Sequence, residues 1–369
     1  MATVVVIEPW YGGSHRVWAD GWRRHSRHEI ELLTLPDRNW RWRMRAGAVD
    51  LAERFEAHVA QSGRPDAVVA SSLFDVASFA GLARGALGST PVALYLHENQ
   101  VLYPDVPGRP RDDTAGLVNW KSMVAADALW WNSAFHRDAF LEALTELLGR
   151  QPEPAGGPPV AELRGRSTVL WPGVEVMDLI EAPRTVTPRP VVLWNQRWDH
   201  DKNPRAVFSA LDACSAESVG FDLVLAGENR GHSREAEWVH DRLGDHIVHE
   251  GWLEPEEYRS WLLRSDVVVS AADHEFFGIA IVEAMAAGAV PVLPRRLSFP
   301  ELVEPRWHEH ALYPDGLLRH RLSEVLGDVE SARSALDGLR ESMRKFDVSH
   351  AAAAHDRAVD TLLDGTLSA

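Results

Sequence analysis

Asp273-His274-Glu275-Phe276-Phe277-Gly278-Ile279-Ala280-Ile281-Val282-Glu283-Ala284-Met285-Ala286-Ala287-Gly288 is the stretch on which the reading of this chain turns. It follows an apolar run, Asp266 to Ala271, that reads as a buried parallel strand ending in small residues. Beyond Gly278 the pattern becomes helical, with Ile279, Val282, Met285 and Ala286 falling on one face. A helix that opens just past a strand, with glycine at its mouth, offers unpaired N–H groups and a positive dipole end. That is a ready seat for a diphosphate. Glu275 stands before this helix and Glu283 two turns into it. Eight helical residues rise about 12 Å, whereas the paired carboxylates of a glycoside hydrolase sit about 5–9.5 Å apart. The spacing suits two contacts on one long ligand. From periodicity alone, an electrostatic cap at Glu275 and a solvated Glu283 describe the pair equally well.

Working outward, the same strand-then-helix unit recurs on both sides. Val191 to Asn195 reads as a strand running into Gln196-Arg197-Trp198-Asp199-His200-Asp201-Lys202. Strands are expected at Phe221 to Ala226, Ile247 to Gly251 and Pro291 to Pro294, with a helix at Pro255 to Leu263. In the first half, Thr3 to Glu8 is a buried-strand pattern leading into Pro9-Trp10-Tyr11-Gly12-Gly13-Ser14-His15 and a helix from Val17 to Trp22. Gly12-Gly13 makes a tight βα turn but lacks the third glycine of the dinucleotide fingerprint. Further strands fall at Pro65 to Ser72, Pro91 to Leu96 and Ala128 to Ser133. The second of these leads into a half-site: His97-Glu98-Asn99-Gln100 follows the Pro91 to Leu96 strand. Four hydrogen-bonding residues at the carboxyl end of a strand are expected to face a ligand crevice.

Two rounds of β/α alternation predict an α/β protein of two doubly wound, Rossmann-like domains. The expected divisions are a first domain over 1–180 and a proline-rich linker over 181–190. A second domain over 191–346 and an alanine-rich C-terminal helix in 347–369, returning to the first domain, complete the chain.

Composition narrows the function. The chain has 369 residues, 45% of them hydrophobic, enough for two cores. No apolar run reaches membrane-spanning length, so no membrane partner is expected. A strand starting at Thr3 leaves no room for a leader, and the single Cys214 excludes a disulfide framework and a thiolate zinc site; both point to a cytoplasmic protein. At a net charge of −16 the whole molecule repels nucleic acid, so a polynucleotide partner must meet a local basic patch. The candidates are Arg38-Asn39-Trp40-Arg41-Trp42-Arg43-Met44-Arg45, Arg109 and Arg111. Arginine pairs with phosphate and tryptophan offers a stacking face, although a solvated arginine face over inward tryptophans fits the same residues. Only Lys121, Lys202 and Lys345 are lysines, which draws attention to Lys202 beside Arg197.

Arg197 and Lys202, five apart after the second domain's first strand, resemble the arginine–lysine pair of retaining glycosyltransferases of the GT-B fold, family 4 type. Glu275 and Glu283 resemble that family's Glu-x7-Glu motif. Within it, Tyr11 to His15, Trp40 to Arg45, His97 to Gln100, Gln196 to Lys202, His274 to Gly278 and Leu297-Ser298-Phe299-Pro300-Glu301 are similar to the tRNA-queuosine mannosyltransferase group. The resemblance spans roughly residues 4 to 305. It implies transfer of mannose from GDP-mannose to the cyclopentene diol of queuosine in tRNA, with retained configuration, in a cleft between the two domains. Arg197 and Lys202 would neutralise the leaving diphosphate, helped by backbone N–H groups at Phe277, Gly278 and Ile279, with no divalent metal. Glu283 would hold the ribose, Glu275 the sugar hydroxyls, and His97 the transferred sugar. Gly12, Gly13 and Asn195 would complete the donor site. Ser14, His15, Trp40, Arg41, Arg43, Arg45, Glu98, Asn99 and Gln100 would face the acceptor. Gln196 and Phe276 depart from the wider superfamily, where glycine is common.

Other classes weigh less. A small-molecule or lipid acceptor is the alternative within enzymes, and a non-catalytic tRNA- or nucleotide-binding protein is the alternative outside them. An NAD-dependent oxidoreductase lacks its fingerprint. His308 with His310, or His246 with His249, lacks a third ligand for zinc. The sequence leaves the oligomeric state open.

Overall fold

The structure, a computed structural model, describes residues 1–103, 113–154, 156–229 and 233–365; Arg109 and Arg111 lie outside them. The chain forms two compact units, Met1–Gly173 with Val348–Ala369, and Val174–Asp347. Each is built on one six-stranded parallel sheet. The strands of the first are β1 (Thr3–Tyr11), β2 (Glu29–Pro36), β3 (Ala67–Ser71), β4 (Val92–Leu96), β5 (Ala128–Trp131) and β6 (Ser167–Val169). Those of the second are β7 (Val191–Trp194), β8 (Asp222–Leu225), β9 (Ile247–Glu250), β10 (Val267–Val269), β11 (Val290–Pro294) and β12 (Leu312–Tyr313). Five helices carry the argument below: α1 (Gly13–His25), α2 (Trp40–Ser62), α3 (Pro255–Arg264), α4 (Ile279–Ala286) and α5 (Val348–Leu363).

A strand apolar at every position is one covered on both faces. In β1, Val5 and Ile7 join a core with Leu51, Phe55, Phe74 and Phe79. Val4 and Val6 point the other way, to Trp18, Trp22, Tyr95 and Trp130. That second core is closed by α5, whose Ala352, Val359 and Leu362 enter it. Asp356 on α5 is buried and accepts from Trp22 Nε1 at 2.9 Å, Ser26 Oγ at 2.6 Å and the Arg27 amide at 2.9 Å. Gly21 on α1 lets Val348 come close, since a Cβ there would lie 2.6 Å from its Cγ2.

The first sheet runs β2-β1-β3-β4-β5-β6 and the second β12-β11-β10-β7-β8-β9. The chain therefore changes direction across the sheet between β1 and β3, and again between β7 and β10. Crevices outside the carboxyl ends of strands at such switch points are where ligands bind in this architecture.

The structure differs from the sequence-based reading in several places. β2 and β6 are edge strands that the apolar-run criterion passes over, and β12 is only two residues long. Residues 181–190, read as a linker from their prolines, are docked on the second unit. The Thr185 amide donates to the Leu263 carbonyl at 2.9 Å, and Arg184 Nη2 reaches Asp266 Oδ1 at 2.8 Å. The division falls instead between Gly173 and Val174. Ile279 is not on the buried face of α4, which is made by Ile281, Val282, Ala284, Met285 and Ala286; as the first helical residue it lies at the open mouth.

Candidate active site

In the second unit the switch point is lined by the ends of β7 and β10 and by the mouth of α4. Gly278, the residue before α4, has φ +102, a left-handed conformation that a side chain disfavours. No side chain caps the helix, so its first N–H groups are presented outward. Phe277 and Phe276 are buried on either side of this approach. Ser298 holds the loop, its hydroxyl donating to the Phe277 carbonyl at 3.0 Å and to the Glu275 carbonyl at 3.3 Å.

Lys202 is buried and lies at this mouth. Its Nζ donates to the His274 carbonyl at 2.8 Å and to Glu275 Oε2 at 3.1 Å, and lies 3.3 Å from Asp201 Oδ2. Burial works to lower the lysine pKa, but the charges of Glu275 and Asp201 outweigh it and the group ends above its ordinary value. It is a fixed ammonium. His274 beside it is pushed down to about 4 by burial and by the Lys202 charge, so it is neutral. Arg197 follows β7 on a more exposed strand-end loop and pairs with Asp199 at 2.8 Å. Gln196 points inward instead of blocking the crevice: its amide exchanges hydrogen bonds with Ser270 Oγ. The room its backbone needs is supplied by Gly227, where a Cβ would lie 1.9 Å from the Gln196 carbonyl oxygen.

Glu283 sits one and a half turns further, linked to Asn195. Asn195 Nδ2 donates to the Ala280 carbonyl at 2.9 Å and to Tyr258 Oη at 3.0 Å; that hydroxyl donates to Glu283 Oε2 at 2.9 Å. Burial pushes the Glu283 pKa up to about 7, against the lowering effect of the Tyr258 hydrogen bond. Tyr258, on α3, is a site residue that sequence reasoning missed. No spacing tied it to Glu283, although it is the tyrosine of the helix that precedes the apolar strand.

In the first unit the ends of β1 and β4 bring His15 and His97 together, ring centroids 4.0 Å apart. Between them is Glu8, fully buried and also missed, 3.1 Å from His15 Nδ1 and 3.7 Å from His97 Nε2. The signal was parity: the alternation that aims Val4 and Val6 at α1 aims Glu8 the same way, and Tyr95 and His97 follow it on β4. Burial works to lower the His15 pKa, but Glu8 outweighs it and the net shift is upward. Burial holds His97 well below the ordinary value, with the neighbouring histidines adding to the effect. Among the described residues, Glu8, His15 and His97 are the group whose ligand atoms, all within 4.8 Å, could hold a metal ion.

The remaining first-unit candidates separate. Asn99 is buried and accepts from the Val101 and Leu102 amides, so it shapes the loop, and Gln100 bonds Glu98 at 3.0 Å. Gly12 is fixed by Asp37, whose side chain would lie within 2.1 Å of a Cβ there, while Gly13 has φ +50 and Ser14 is exposed. Arg41 and Arg45 are exposed and Arg41 stacks on Trp40, 4.6 Å from the ring centroid. Arg43 is not with them: it is turned to the core side of α2 with Met44, reaching the Pro36 carbonyl at 3.5 Å. Trp42, by contrast, is 62% exposed.

Two doubly wound units, one ending in a fixed lysine and a pair of glutamates around an open helix mouth, define a nucleotide-sugar glycosyltransferase of the GT-B class. The comparisons agree. Residues 3–174 match the tRNA-queuosine alpha-mannosyltransferase N-terminal family and residues 178–334 match glycosyl transferases group 1. The tRNA-queuosine alpha-mannosyltransferase of Drosophila melanogaster is 32% identical over 310 residues, 81% of each chain. A GDP-mannose:cellobiosyl-diphosphopolyprenol alpha-mannosyltransferase of Xanthomonas oryzae is 30% identical over 133 residues, 35% of this chain and 34% of that one. Among solved structures, Anabaena HepE in complex with UDP and glucose superposes with a TM-score of 0.68 at 15% identity, covering 98% of this chain and all of the other. Sucrose-phosphate synthase from Thermosynechococcus elongatus gives 0.71 at 17%, covering 99% and 100%. The chain belongs to the tRNA-queuosine alpha-mannosyltransferase family, and it is a glycosyltransferase.

Proposed function

We propose that this enzyme transfers mannose from GDP-mannose to the cyclopentene diol of queuosine in tRNA, with retained configuration. The observation that carries the reading is Lys202, held at the uncapped mouth of α4 beside Glu275. A buried ammonium and a row of free N–H groups are what a departing diphosphate needs. Arg197 adds a second cation, and no divalent metal is required for that charge. Glu283, with Tyr258 and Asn195 behind it, takes the ribose hydroxyls, and Glu275 the sugar. His15 and His97 of the first unit offer imidazoles to hydroxyls of the transferred sugar or the acceptor diol. The exposed Arg41, Trp42 and Arg45 meet the tRNA as a local basic patch. The two relatives support the choice of sugar and base, since one is named for queuosine mannosylation and the other for GDP-mannose. No helix among the described residues is long and apolar enough to cross a membrane, and a reaction on tRNA belongs in the cytoplasm.

The test is transfer of labelled mannose from GDP-mannose to queuosine-containing tRNA, to the same tRNA lacking queuosine, and to free queuosine, each with and without EDTA. Label on the modified tRNA alone, unaffected by EDTA, is expected. Label on free queuosine but not on tRNA moves the reading to a small-molecule acceptor, and no label with any acceptor overturns it.

A further inference from the structure

The first unit contains a buried carboxylate that nothing above employs. Glu8 is wholly buried at the end of β1, where the β1–β2 register shifts between Glu8 and Tyr11. Its Oε1 accepts the Trp10 amide at 2.8 Å and lies 3.1 Å from His15 Nδ1. Its Oε2 has no hydrogen bond and lies 3.7 Å from His97 Nε2, which is equally buried and equally without one. A buried polar atom without a partner is costly, so three such atoms in one cluster, Glu8 Oε2, His97 Nε2 and His15 Nδ1, point to a function. Aromatic neighbours hold the His97 ring in this orientation. Trp18 and Tyr95 meet His97 edge-on at 4.7 and 4.5 Å, and Tyr95 is itself tied to the Leu170 carbonyl at 2.9 Å.

We propose that Glu8 is a positioning residue that engages one ring nitrogen of each histidine, His15 Nδ1 and His97 Nε2, and thereby presents the other two, His15 Nε2 and His97 Nδ1, to hydroxyl groups of the ligand. An imidazole whose one nitrogen gives its proton to a carboxylate has its tautomer and ring angle fixed, and the opposite nitrogen becomes the acceptor. Neither outward nitrogen has a hydrogen bond among the described residues. The 3.7 Å gap closes to hydrogen-bond length with a shift of about 0.5–1 Å, of the kind that accompanies substrate binding. The two rings are stacked at a tilt, centroids 4.0 Å apart and 31° between planes, so their free edges lie one above the other at a spacing that suits two neighbouring hydroxyls, as on a sugar or a diol. The assignment rests on the mannosyl-transfer reading only for the identity of that ligand.

The test compares the full-length Glu8→Gln and Glu8→Asp variants with the parent protein. Glutamine keeps the shape but offers a single acceptor oxygen to two ring N–H groups. GDP affinity is expected to stay at the parental value in both. E8Q should lose about 10–100-fold in kcat with little change in KM for GDP-mannose, and E8D should recover part of it. Nitrogen-15 spectra of the histidine rings should show His97 protonated at Nε2 in the parent and a changed tautomer balance in E8Q. The ring spectra do not depend on turnover, so they decide the assignment even if GDP-mannose proves not to be the donor, or if E8Q fails to fold and only the parent is measured. A His97 protonated at Nδ1 in the parent overturns the proposal. So does E8Q with parental kcat and unchanged ring spectra. One equivalent of bound zinc or manganese in the parent, lost in E8Q, also overturns it, because the inward nitrogens would then be metal ligands.

Discussion

Lys202 and Glu275 form a buried-edge ion pair at 3.1 Å, and the same ammonium is hydrogen-bonded to the carbonyl of His274, the residue just before Glu275. The lysine is thus positioned by the strand-to-helix connection whose N–H groups would take the diphosphate, so cation and helix mouth are tied to each other directly. Pre-placed charge is effective because no reorganisation is needed as negative charge develops on the leaving group. Lys202→Ala should lower kcat/KM for GDP-mannose by about 10²–10³, by analogy with the loss of one oxyanion donor. Lys202→Arg should restore little, since a planar guanidinium does not fit between Asp201, His274 and Glu275 as a point charge does. Initial rates of transfer, with GDP binding measured in parallel, check both. Near-parental rates for the alanine variant would remove Lys202 from the mechanism.

The Glu283 carboxyl titrates at about 7 in the folded protein, raised from its ordinary range by burial. On the proposed reading ribose hydroxyls would donate to the ionised form, so binding would favour loss of the proton. GDP-mannose affinity should therefore rise with pH across about 7 and level off above it. The Tyr258 hydroxyl works in the opposite direction to burial, lowering that pKa. Tyr258→Phe should move the midpoint upward and raise KM for the donor at neutral pH more than it lowers kcat. Calorimetric titrations of GDP-mannose on either side of neutrality measure this; a pH-independent affinity for both proteins would mean that Glu283 does not meet the ribose.

How much of this was legible beforehand depended on how a residue announces itself. Lys202, Glu275 and Gly278 stand at the junction of an apolar strand and a helical pattern, so local sequence was enough to group them. Tyr258 and Glu8 are grouped with their partners only by the sheet, which brings α3 over α4 and β4 near β1; no spacing in the sequence encodes those approaches. In Trp40 to Arg45 the alternation of arginine and tryptophan suggested two faces. A helix has period 3.6, however, and the buried set Arg43, Met44, Gly47, Ala48 and Leu51 follows that period. Arg43 is therefore inside and Trp42 outside. The edge strands β2 and β12 escaped because pairing on one side needs neither length nor a continuous apolar run.

Asp356 on α5 satisfies three donors from α1 and the residues just after it while almost wholly buried. Replacing it by alanine leaves the buried Trp22 donor without an acceptor and removes the acceptor of the partly buried Ser26 hydroxyl and Arg27 amide. Hydrogen bonds to a charged acceptor contribute about 1.5–3 kcal/mol each, non-additively, so Asp356→Ala should destabilise the first unit by at least about 2 kcal/mol. Denaturant unfolding followed by tryptophan fluorescence measures it, Trp18 and Trp22 both lying at this contact. A midpoint unchanged from the parent would show that α5 is held by its apolar residues alone.

A protein of net charge −16 can hold tRNA only where local positive charge exceeds the general repulsion. On α2, Arg41, Trp42 and Arg45 are exposed, whereas Arg43 is turned inward. The two kinds of side chain should act on different parts of the binding free energy. An arginine that meets phosphate releases counterions, so Arg41→Ala with Arg45→Ala should weaken tRNA binding and flatten its salt dependence by roughly one to two in the log–log slope. Trp42→Ala should weaken binding with the slope unchanged, because stacking on a base displaces no ions; about 1–3 kcal/mol is expected for one stacked base. Arg43→Ala should alter stability before it alters tRNA affinity. Affinities measured across a salt series for all three proteins separate these outcomes. Equal slopes and equal affinities for the parent and the double arginine variant would place the tRNA contact elsewhere on the chain.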